Sequence, residues 1–372
     1  MSLKEYLDGE LRQLEVAGLL RRRAAGVPPT PELVDVCTND YLGYARRVVS
    51  RETSVRAGAG ASRLIFGTDP SHLALERELA RWVGAEAALL FPTGFSANLG
   101  VISGLAHEGD LVISDALNHA SIIDGCRLSK ARIVVAPHLD LAATDRALAT
   151  AVPGRRWVVT ESYFSMDADS PDLVSLRRLC DERGAFLIVD EAHALGVFGP
   201  EGSGLARASG VTADVLVGTL GKAVGVQGAF VAGSSELADL LYTRARSFVF
   251  TTAPSPTLVE LTSNAVRLVI ADEASRAKLV RLSAFLERRL APKAGITPAR
   301  RHGPIFPIFA GTPGRAVAMA AALRDRGFLA QAIRPPTVPS GSSRLRIALH
   351  ADMTEATVER LANALLDVCA AS

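Results

Sequence analysis

The sequence predicts an α/β fold in which helices cover both faces of a parallel sheet. Three apolar stretches have the composition of buried strands, and they end at Glu161, Asp190 and Thr219, at equal intervals along the chain. A helical stretch framed by Ser170-Pro171 and Gly184 separates the first two of them. Buried strands that alternate with helices are typical of parallel sheets. Because ligands bind at the carboxyl edge of such sheets, the three polar strand ends are candidates for a site.

The composition limits the class of protein. Hydrophobic residues make up 48% of the 372 residues, enough apolar material for one large and one smaller domain. The 41 basic and 39 acidic side chains nearly balance, so the positive field that nucleic-acid binding requires is lacking. Polar residues interrupt the N-terminal segment, no apolar run approaches the length of a membrane span, and the four separated cysteines form no metal or redox motif. We therefore expect a cytoplasmic protein that binds neither nucleic acid nor a membrane.

Periodicity and turn signals predict three regions. Four leucines between residues 3 and 14 recur at helical spacing in a first helix that ends in three arginines. The small domain is predicted to contain helices over 273–290 and 315–326 and short strands near 305–306 and 345–347. The predicted regions are an N-terminal helix and linker that pack on the small domain (1–45), a large domain (46–270) and a small C-terminal domain (271–372).

Lys222 follows the third apolar strand, in the stretch Gly218-Thr219-Leu220-Gly221-Lys222. The small residues around it would let a planar ligand approach the backbone, although a lysine beside turn glycines is more often an ordinary loop residue. A nucleotide phosphate loop is not a suitable interpretation, because Leu216 stands where a glycine is needed and Ala223 where a serine or threonine is needed. Lys222 alone does not decide between a loop lysine and a catalytic one.

Asp190 opens the string Asp190-Glu191-Ala192-His193 at the end of the second strand. Alone, this string resembles the metal-binding motif of a DEAH-type helicase, but no Gly-Lys-Ser or Gly-Lys-Thr loop precedes it. A strand-terminal aspartate that caps a turn is the other alternative. The combination with Lys222 on an adjoining loop favours pyridoxal phosphate. That cofactor needs a lysine for its Schiff base, a carboxylate that keeps the pyridine nitrogen protonated and a donor beside its phenolic oxygen.

Two further stretches are candidates for the same site. Residues 91–98 have the pattern of a turn that opens a helix, whose N–H groups would face the cofactor phosphate, with Thr219 adding a hydroxyl. A plain helix cap is the alternative. His119 follows the apolar strand Leu111-Val112-Ile113 and would stack its ring on the pyridine, although a single histidine is more often a structural residue.

Six stretches, in this order along the chain, resemble the α-oxoamine synthases. They are Asn39-Asp40-Tyr41-Leu42-Gly43, Thr93-Gly94-Phe95, Asn118-His119-Ala120-Ser121, Phe164-Ser165-Met166-Asp167, Asp190-Glu191-Ala192-His193 and Thr219-Leu220-Gly221-Lys222. The resemblance covers nearly the whole chain. It implies a fold-type I transferase that depends on pyridoxal phosphate (PLP), with a large domain built on a mostly parallel seven-stranded sheet and a small α+β C-terminal domain. It also implies a homodimer with active sites at the interface. Members of this family condense an amino acid with an acyl thioester and release carbon dioxide.

The resemblance also assigns the cofactor residues. It implies that Lys222 forms the Schiff base, Asp190 contacts the pyridine nitrogen and His193 lies near the phenolic oxygen. His119 would stack on the ring and would be the third catalytic residue beside Lys222 and Asp190. The other cofactor contacts would come from Gly94, Phe95, Ser165, Thr219 and Thr252, the last toward the phosphate of the neighbouring subunit.

The substrate residues are implied in the same way. Within the family, residues 333–339 and 20–23 most resemble the members that use L-alanine and a pimeloyl thioester. Arg21 would then bind the pimeloyl carboxylate, and Arg22 and Arg23 fit better as solvated residues that complement the helix end. The other substrate contacts would come from Asn39, His119, Thr337, which lines the acyl site, and Arg346, which meets the amino-acid carboxylate.

Two stretches depart from the family pattern. Alanines and an arginine occur in Gly58-Ala59-Gly60-Ala61-Ser62-Arg63, and Ala194-Leu195 follows His193 where a Gly-Thr or Gly-Ser pair is usual. Both departures are expected beside the wall of the active site.

Overall fold

The structure, a computed structural model, describes residues 3–20, 33–47, 56–290 and 303–371. The chain forms two compact units. The larger contains Asn39–Ser165 and Asp169–Ala277, and the smaller contains Met1–Thr38, Met166–Ala168 and Lys278–Ser372. The domain limits expected from the sequence, after residues 45 and 270, stay predictions.

The described residues form helices and strands throughout the chain. The helices are α1 (Leu3–Val16), α2 (Pro70–Val83), α3 (Gly94–Leu105), α4 (Ala120–Ser129), α5 (Leu141–Leu148), α6 (Leu173–Arg183), α7 (Leu205–Ala208), α8 (Ser235–Arg244), α9 (Arg246–Val249), α10 (Pro256–Ala271), α11 (Glu273–Leu290), α12 (Pro313–Arg324) and α13 (Glu355–Ala371). The strands are β1 (Val34–Asp35), β2 (Ala87–Phe91), β3 (Leu111–Asp115), β4 (Arg132–Ala136), β5 (Arg156–Glu161), β6 (Ala185–Asp190), β7 (Val215–Thr219), β8 (Ala229–Gly233), β9 (Ile305–Gly311), β10 (Phe328–Leu329), β11 (Gln331–Ile333) and β12 (Ser343–Ala348).

The larger unit is built on a seven-stranded sheet with the order β2-β8-β7-β6-β5-β3-β4. Strands β4, β3, β5, β6 and β7 are parallel to one another, whereas β8 runs antiparallel to both β2 and β7. The predicted mostly parallel sheet is therefore confirmed. Apolar side chains of the sheet, such as Val159 and Ile188, form one buried core with Val101 and Ile102 of α3 and Ile122 of α4. Burial on this scale is the main source of the unit's stability.

The crossover from β5 to β6 follows the predicted β-α-β pattern. Helix α6 begins after Asp172, whose carboxylate accepts the backbone N–H of Ser175, two residues later than the Ser170-Pro171 start expected from the sequence. It ends at Gly184, whose φ of 60° lies in the left-handed region that glycine adopts without strain. The cap residues Asp172 and Gly184 therefore set the two ends of α6. Strands β5 and β6 both extend to their polar last residues, Glu161 and Asp190.

The crossover from β6 to β7 differs from the expected helical stretch. It contains a short 3-10 turn, Pro200–Gly202, and the four-residue helix α7. Glycines with positive φ occur throughout this segment, including Gly199 and Gly204, and a Cβ at Gly204 would lie 2.6 Å from the carboxylate of Glu191. The close approach of the backbone to a buried side chain prevents a longer helix here.

The smaller unit contains a three-stranded antiparallel sheet, β11-β12-β9, and a parallel pair of β1 with β10. Helix α11 has the predicted bounds, and α12 begins and ends two residues earlier than the predicted helix over 315–326. Helix α1 buries none of its residues, and the leucines that predicted it are exposed, Leu3 by 73% and Leu14 by 41%. Of the helices in the described parts of the chain, none is long and apolar enough to cross a membrane. A cytoplasmic location stays a prediction.

His138, on the loop after β4, forms hydrogen bonds with one aspartate at the end of β3 and one on the loop after β5. Its Nδ1 lies 2.8 Å from Oδ1 of Asp115, and its Nε2 lies 3.1 Å from Oδ2 of Asp169. Its ring also meets the edge of Phe164, with centroids 4.5 Å apart. Burial alone would lower the pKa of His138, but the hydrogen bonds and charges of the two aspartates outweigh it and raise the pKa to about 10. The imidazolium therefore joins three loops at the carboxyl edge of the sheet.

We predict that His138→Ala lowers the free energy of unfolding by about 2 kcal/mol at pH 7, because a charged hydrogen-bonding group between two carboxylates is lost. The folded pKa is above the unfolded value, so the contribution is complete below about pH 6.5 and disappears as the pH rises through about 10. Urea unfolding at several pH values measures the difference between wild type and variant. His107→Ala, at an exposed histidine before β3, is the control. A difference that does not shrink toward pH 10 would contradict the assignment.

Candidate active site

The polar ends of β5, β6 and β7 meet at one edge of the large sheet. Glu161 and Asp190 are direct partners in the register of β5 and β6, and Asp190 pairs in turn with Val217 of β7. Lys222 lies on the loop that follows β7. The charges of Asp190 and Lys222 both act on the imidazole of His119 and on the carboxyl group of Glu161, so the four groups are close to one another.

Both oxygens of Asp190 are held by N–H donors. Nδ2 of Asn98 donates to Oδ2 at 2.7 Å, and the backbone N–H of Ala192 donates to Oδ1 at 2.8 Å. The same Nδ2 also donates to Oγ of Ser121 at 3.0 Å, which joins the carboxylate to the start of α4. Asp190 is buried, so this carboxylate has a fixed orientation, as a group that faces a protonated ring nitrogen requires. Asn98 lies in a stretch that the sequence assigned to the phosphate, and its role beside Asp190 was missed.

His119 is the N-cap residue of α4, and its hydrogen bonds define its tautomer. The backbone N–H of Ser121 donates to Nδ1 at 3.2 Å, and Oγ of Ser121 lies 2.8 Å from the same nitrogen. Nδ1 is therefore the acceptor, and Nε2 carries the hydrogen of the neutral ring. Although the residue reaches solvent, partial desolvation lowers the pKa of His119, with Lys222 acting in the same direction and Asp190 against it. The ring is available both for stacking and as a donor at Nε2.

Glu161 is a second carboxyl group of the site, to which the sequence assigned no role. It is 4% exposed, and its Oε1 accepts the backbone N–H of His119 at 2.8 Å. Burial, together with the charge of Asp190, raises the pKa of Glu161 to about 8, against an opposite effect of Lys222. Glu161 therefore holds the His119 backbone and is a carboxyl group with a raised pKa at the centre of the site. Its position at a strand end was visible in the sequence, but its pairing with Asp190 depends on the order of the strands.

His193 is buried in the turn after β6, next to Tyr41. Its Nδ1 lies 2.7 Å from the Tyr41 hydroxyl, and the ring centroids are 6.2 Å apart at 56°. Oδ1 of Asn39 lies 3.3 Å from the same hydroxyl, so Tyr41 joins two of the family motifs, residues 39–43 and 190–193, within the larger unit. Tyr41 lies within one of these motifs, but no role was predicted for it.

The start of α3 has the form of an anion cradle. Thr93 caps the helix by accepting the backbone N–H of Ser96 at 3.1 Å, and the first intrahelical bond is donated by Ala97 to the Thr93 carbonyl. Gly94 and Phe95 come before Ala97 in the chain, so their backbone N–H groups have no acceptor within the helix. They lie at the positive end of this twelve-residue helix. A Cβ at Gly94 would lie 3.7 Å from Oγ1 of Thr219 and would fill the space between the helix and that hydroxyl. These donors fit a phosphate, and the residues at the strand ends fit the ring of PLP.

Two predicted cofactor residues lie on the loops of the larger unit. Ser165 is half-buried on the loop after β5. Thr252 is exposed and lines a cavity of about 250 Å³ together with Phe91, Pro92 and Gly228 at the end of β2. Their contacts with the cofactor stay predictions.

The predicted substrate residues are distributed over both units. Asn39 begins the larger unit, and Thr337 and Arg346 belong to the smaller unit, where Thr337 is exposed and Arg346 is buried on β12. Arg21 lies outside the described residues. The substrate contacts of all four residues therefore stay predictions.

Each departure from the family pattern has buried residues in the larger unit. Arg63 is 3% exposed and forms two hydrogen bonds with the carboxylate of Glu76, at 2.9 and 3.1 Å. Ala194 and Leu195 are buried, and a Cβ at Gly218 would lie 2.5 Å from Cδ1 of Leu195. Leu195 thus packs on β7, the strand that precedes Lys222. Its side chain leaves no room for a Cβ at residue 218, so that position requires glycine.

Comparison with known proteins agrees with this geometry. The family model for aminotransferase class I and II matches residues 31–365. The chain belongs to this family. A curated relative, the 8-amino-7-oxononanoate synthase of Anaeromyxobacter dehalogenans (strain 2CP-1), is 46% identical over 98% of this chain and 95% of its own length.

Two solved structures share the fold over most of the chain. A serine palmitoyltransferase from S. paucimobilis with bound PLP and myriocin superposes with a TM-score of 0.89 and 27% identity, covering 100% of this chain and 99% of that one. An 8-amino-7-oxononanoate synthase from Francisella tularensis gives a TM-score of 0.76 and 25% identity over 90% and 97% of the two chains. The predicted fold-type I architecture, the α-oxoamine synthase resemblance, the acyltransferase class and PLP as cofactor are confirmed.

Proposed function

We propose that this chain condenses L-alanine with a pimeloyl thioester to give 8-amino-7-oxononanoate, carbon dioxide and a free thiol, in biotin biosynthesis. The supporting observation is the 46% identity to an 8-amino-7-oxononanoate synthase over nearly the full length of both chains. Serine palmitoyltransferases match the fold closely but share only 27% of the residues. The acyl carrier in this proposal is coenzyme A or a carrier protein.

The residues of the site have distinct tasks in this reaction. When bound, PLP would supply an electron sink for the pair left on Cα of alanine. The Lys222 amine would hold the cofactor as a Schiff base and, as a free amine, would accept the Cα proton of alanine. Asp190, oriented by Asn98, would face the ring nitrogen of the cofactor, and His119 would offer its Nε2 hydrogen to the substrate.

The bonds that break and form account for every atom of the two substrates. The Cα–H bond breaks and its proton goes to Lys222, a bond forms between Cα and the thioester carbonyl carbon, and the C–S bond breaks to release the thiolate. The bond between Cα and the original carboxylate then breaks, carbon dioxide leaves, and a proton returns to Cα.

We predict that holoenzyme converts L-alanine plus pimeloyl-CoA with a kcat/KM at least ~10²-fold higher than glycine plus acetyl-CoA or succinyl-CoA, because a matched acyl end and side-chain pocket contribute several kcal/mol of discrimination. L-serine plus palmitoyl-CoA is the third comparison. Mass spectrometry of the amino ketone and thiol release measure each pair. Preferred turnover of another pair would identify a glycine C-acetyltransferase, a 5-aminolevulinate synthase or a serine palmitoyltransferase instead.

We further predict that Arg21→Ala raises the KM for pimeloyl-CoA about tenfold, the cost of losing one bidentate carboxylate contact. Exchange of the alanine Cα proton with solvent, which needs no acyl donor, would be unchanged and is followed by NMR. Arg22→Ala and Arg23→Ala are matched controls, since both are expected to be solvated. Equal changes in all three variants, or a change in proton exchange, would contradict the role of Arg21.

We also propose a homodimer in which Thr252 reaches the cofactor phosphate of the partner. Ile65, Phe66 and Phe250 are exposed by 77%, 82% and 71%, and the segments that carry them are joined by a hydrogen bond from Ala253 to Ala61. An exposed apolar surface beside Thr252 favours burial against a second copy. Sedimentation at the mass of one chain would contradict the dimer.

A further inference from the structure

Tyr41 is held rigidly against His193. Tyr41 and the following Leu42 are both 0% exposed, and the Tyr41 backbone N–H donates to the carbonyl of Asn39 at 2.9 Å. On the other side, Ala194 and Leu195 both donate their N–H groups to the carbonyl of Glu191, which fixes the turn that carries His193. The phenol and the imidazole thus meet between two ordered backbone segments that are 152 residues apart in the sequence.

The distances around the Tyr41 hydroxyl indicate where its hydrogen lies. The oxygen is 2.7 Å from Nδ1 of His193 and 3.3 Å from Oδ1 of Asn39, and a hydroxyl has one hydrogen to donate. Short contacts of about 2.7 Å are typical of O–H donors, whereas N–H donors stay nearer to about 2.9–3.0 Å. Of the two acceptors, we therefore assign the hydrogen to the nearer, Nδ1 of His193, in place of Oδ1 of Asn39. An imidazole that accepts at Nδ1 keeps its own hydrogen on Nε2.

We propose that Tyr41 is a positioning residue that holds His193 as the tautomer with hydrogen on Nε2, so that the ring presents a donor to the phenolic oxygen of the cofactor. Without the hydroxyl, the hydrogen of the neutral ring divides between Nδ1 and Nε2, and in the first of these states the phenolic oxygen faces a lone pair. Tyr41 thus acts through His193 and touches no reacting atom. The proposal depends on the cofactor and is independent of the acyl substrate.

The test is the pH at which the Schiff base of the holoenzyme loses its proton, followed by the visible spectrum. A donor at the phenolic oxygen stabilises its negative charge and competes for the imine proton, so a weaker donor makes the imine hold that proton more tightly. We expect Tyr41→Phe to move the midpoint upward by about 0.5–1 pH unit, a three- to tenfold change in proton affinity. Tyr44→Phe is the matched control, since it removes another tyrosine hydroxyl from the same segment. That hydroxyl donates to Asp272 at 2.8 Å. This variant is expected to leave the midpoint unchanged.

A double-variant cycle separates positioning from a general loss of stability. In a His193→Ala background, Tyr41→Phe should have no further effect on the midpoint. The proposal is overturned by an unchanged midpoint in Tyr41→Phe, by an equal shift in Tyr44→Phe, or by a shift that persists without His193.

A second measurement needs neither variant nor activity. In wild-type protein labelled with ¹⁵N-histidine, the His193 ring should show a protonated Nε2 and an unprotonated Nδ1 that accepts a hydrogen bond. A hydrogen on Nδ1 with a bare Nε2 would refute the proposal even where Tyr41→Phe does not fold.

Discussion

Lys222→Ala holoenzyme is expected to lose the visible absorption band of the lysine-bound cofactor and at least ~10³-fold in kcat, because a methyl group neither forms the Schiff base nor accepts a proton. The structure places Lys222 on the loop after β7, where its charge acts on both His119 and Glu161. The phosphate cradle at the start of α3 and the Asp190 carboxylate remain in the variant. PLP should therefore still bind, without a covalent link.

The control separates the loss of one amine from a general effect of removing lysine. Lys130→Ala replaces an exposed lysine at the end of α4 and should retain both the band and the activity. Borohydride reduction followed by peptide mapping identifies the lysine that carries the cofactor. A retained band in Lys222→Ala, or label on another lysine, would show that the Schiff base forms elsewhere.

Much of this site was predictable because its residues follow strands. Asp190 and Thr219 end apolar runs, and parallel strands bring their carboxyl ends to one edge whatever the sequence distance between them. The same reasoning placed His119 after β3 and the turn at Thr93 after β2. In each case a local pattern and a general rule of sheet geometry were sufficient.

The missed residues depend on contacts that no local pattern encodes. Asn98 reaches Asp190 only because α3 packs across the sheet, and the two residues are 92 apart in the sequence. Glu161 becomes a raised-pKa carboxyl because β5 lies beside β6 in register. Tyr41 meets His193 across 152 residues. Strand order and helix docking decide these contacts, and both follow from the packing of the whole unit.

The prediction of a helical stretch before β7 was wrong for a related reason. Equal spacing of strand ends suggested one helix per crossover, but backbone approach to the buried Glu191 carboxylate favours glycines and short turns there. Glu191 accepts the backbone N–H groups of Leu205 and Ala206 at 2.9 and 2.6 Å and the Ser162 hydroxyl at 2.8 Å. A buried polar group thus outweighs the usual β-α-β pattern.

Asp190→Asn tests the carboxylate separately from the lysine. The variant keeps the size of the side chain and removes its charge, so the ring nitrogen of bound PLP would no longer face an anion. We expect exchange of the alanine Cα proton to slow by ~10²–10³-fold, about 3–4 kcal/mol, the typical cost of losing one preorganised charge interaction at a reacting centre. NMR of L-alanine in deuterated buffer measures this exchange without any acyl donor.

A second consequence follows from the hydrogen bonds that Asp190 accepts. Asn98 and Ala192 both donate to it, and an amide offers one acceptor oxygen where the carboxylate offers two, so one donor would face an NH₂ group. Asn98→Ala separates this effect from the charge, since it removes the donor at 2.7 Å and leaves the Asp190 carboxylate in place. We expect Asn98→Ala to slow proton exchange much less than Asp190→Asn, while PLP binding, measured by equilibrium dialysis, changes little in either. Wild-type exchange in Asp190→Asn would mean that another group balances the ring nitrogen. Equal losses in the two variants would mean that the orientation of the side chain, and not its charge, controls the rate.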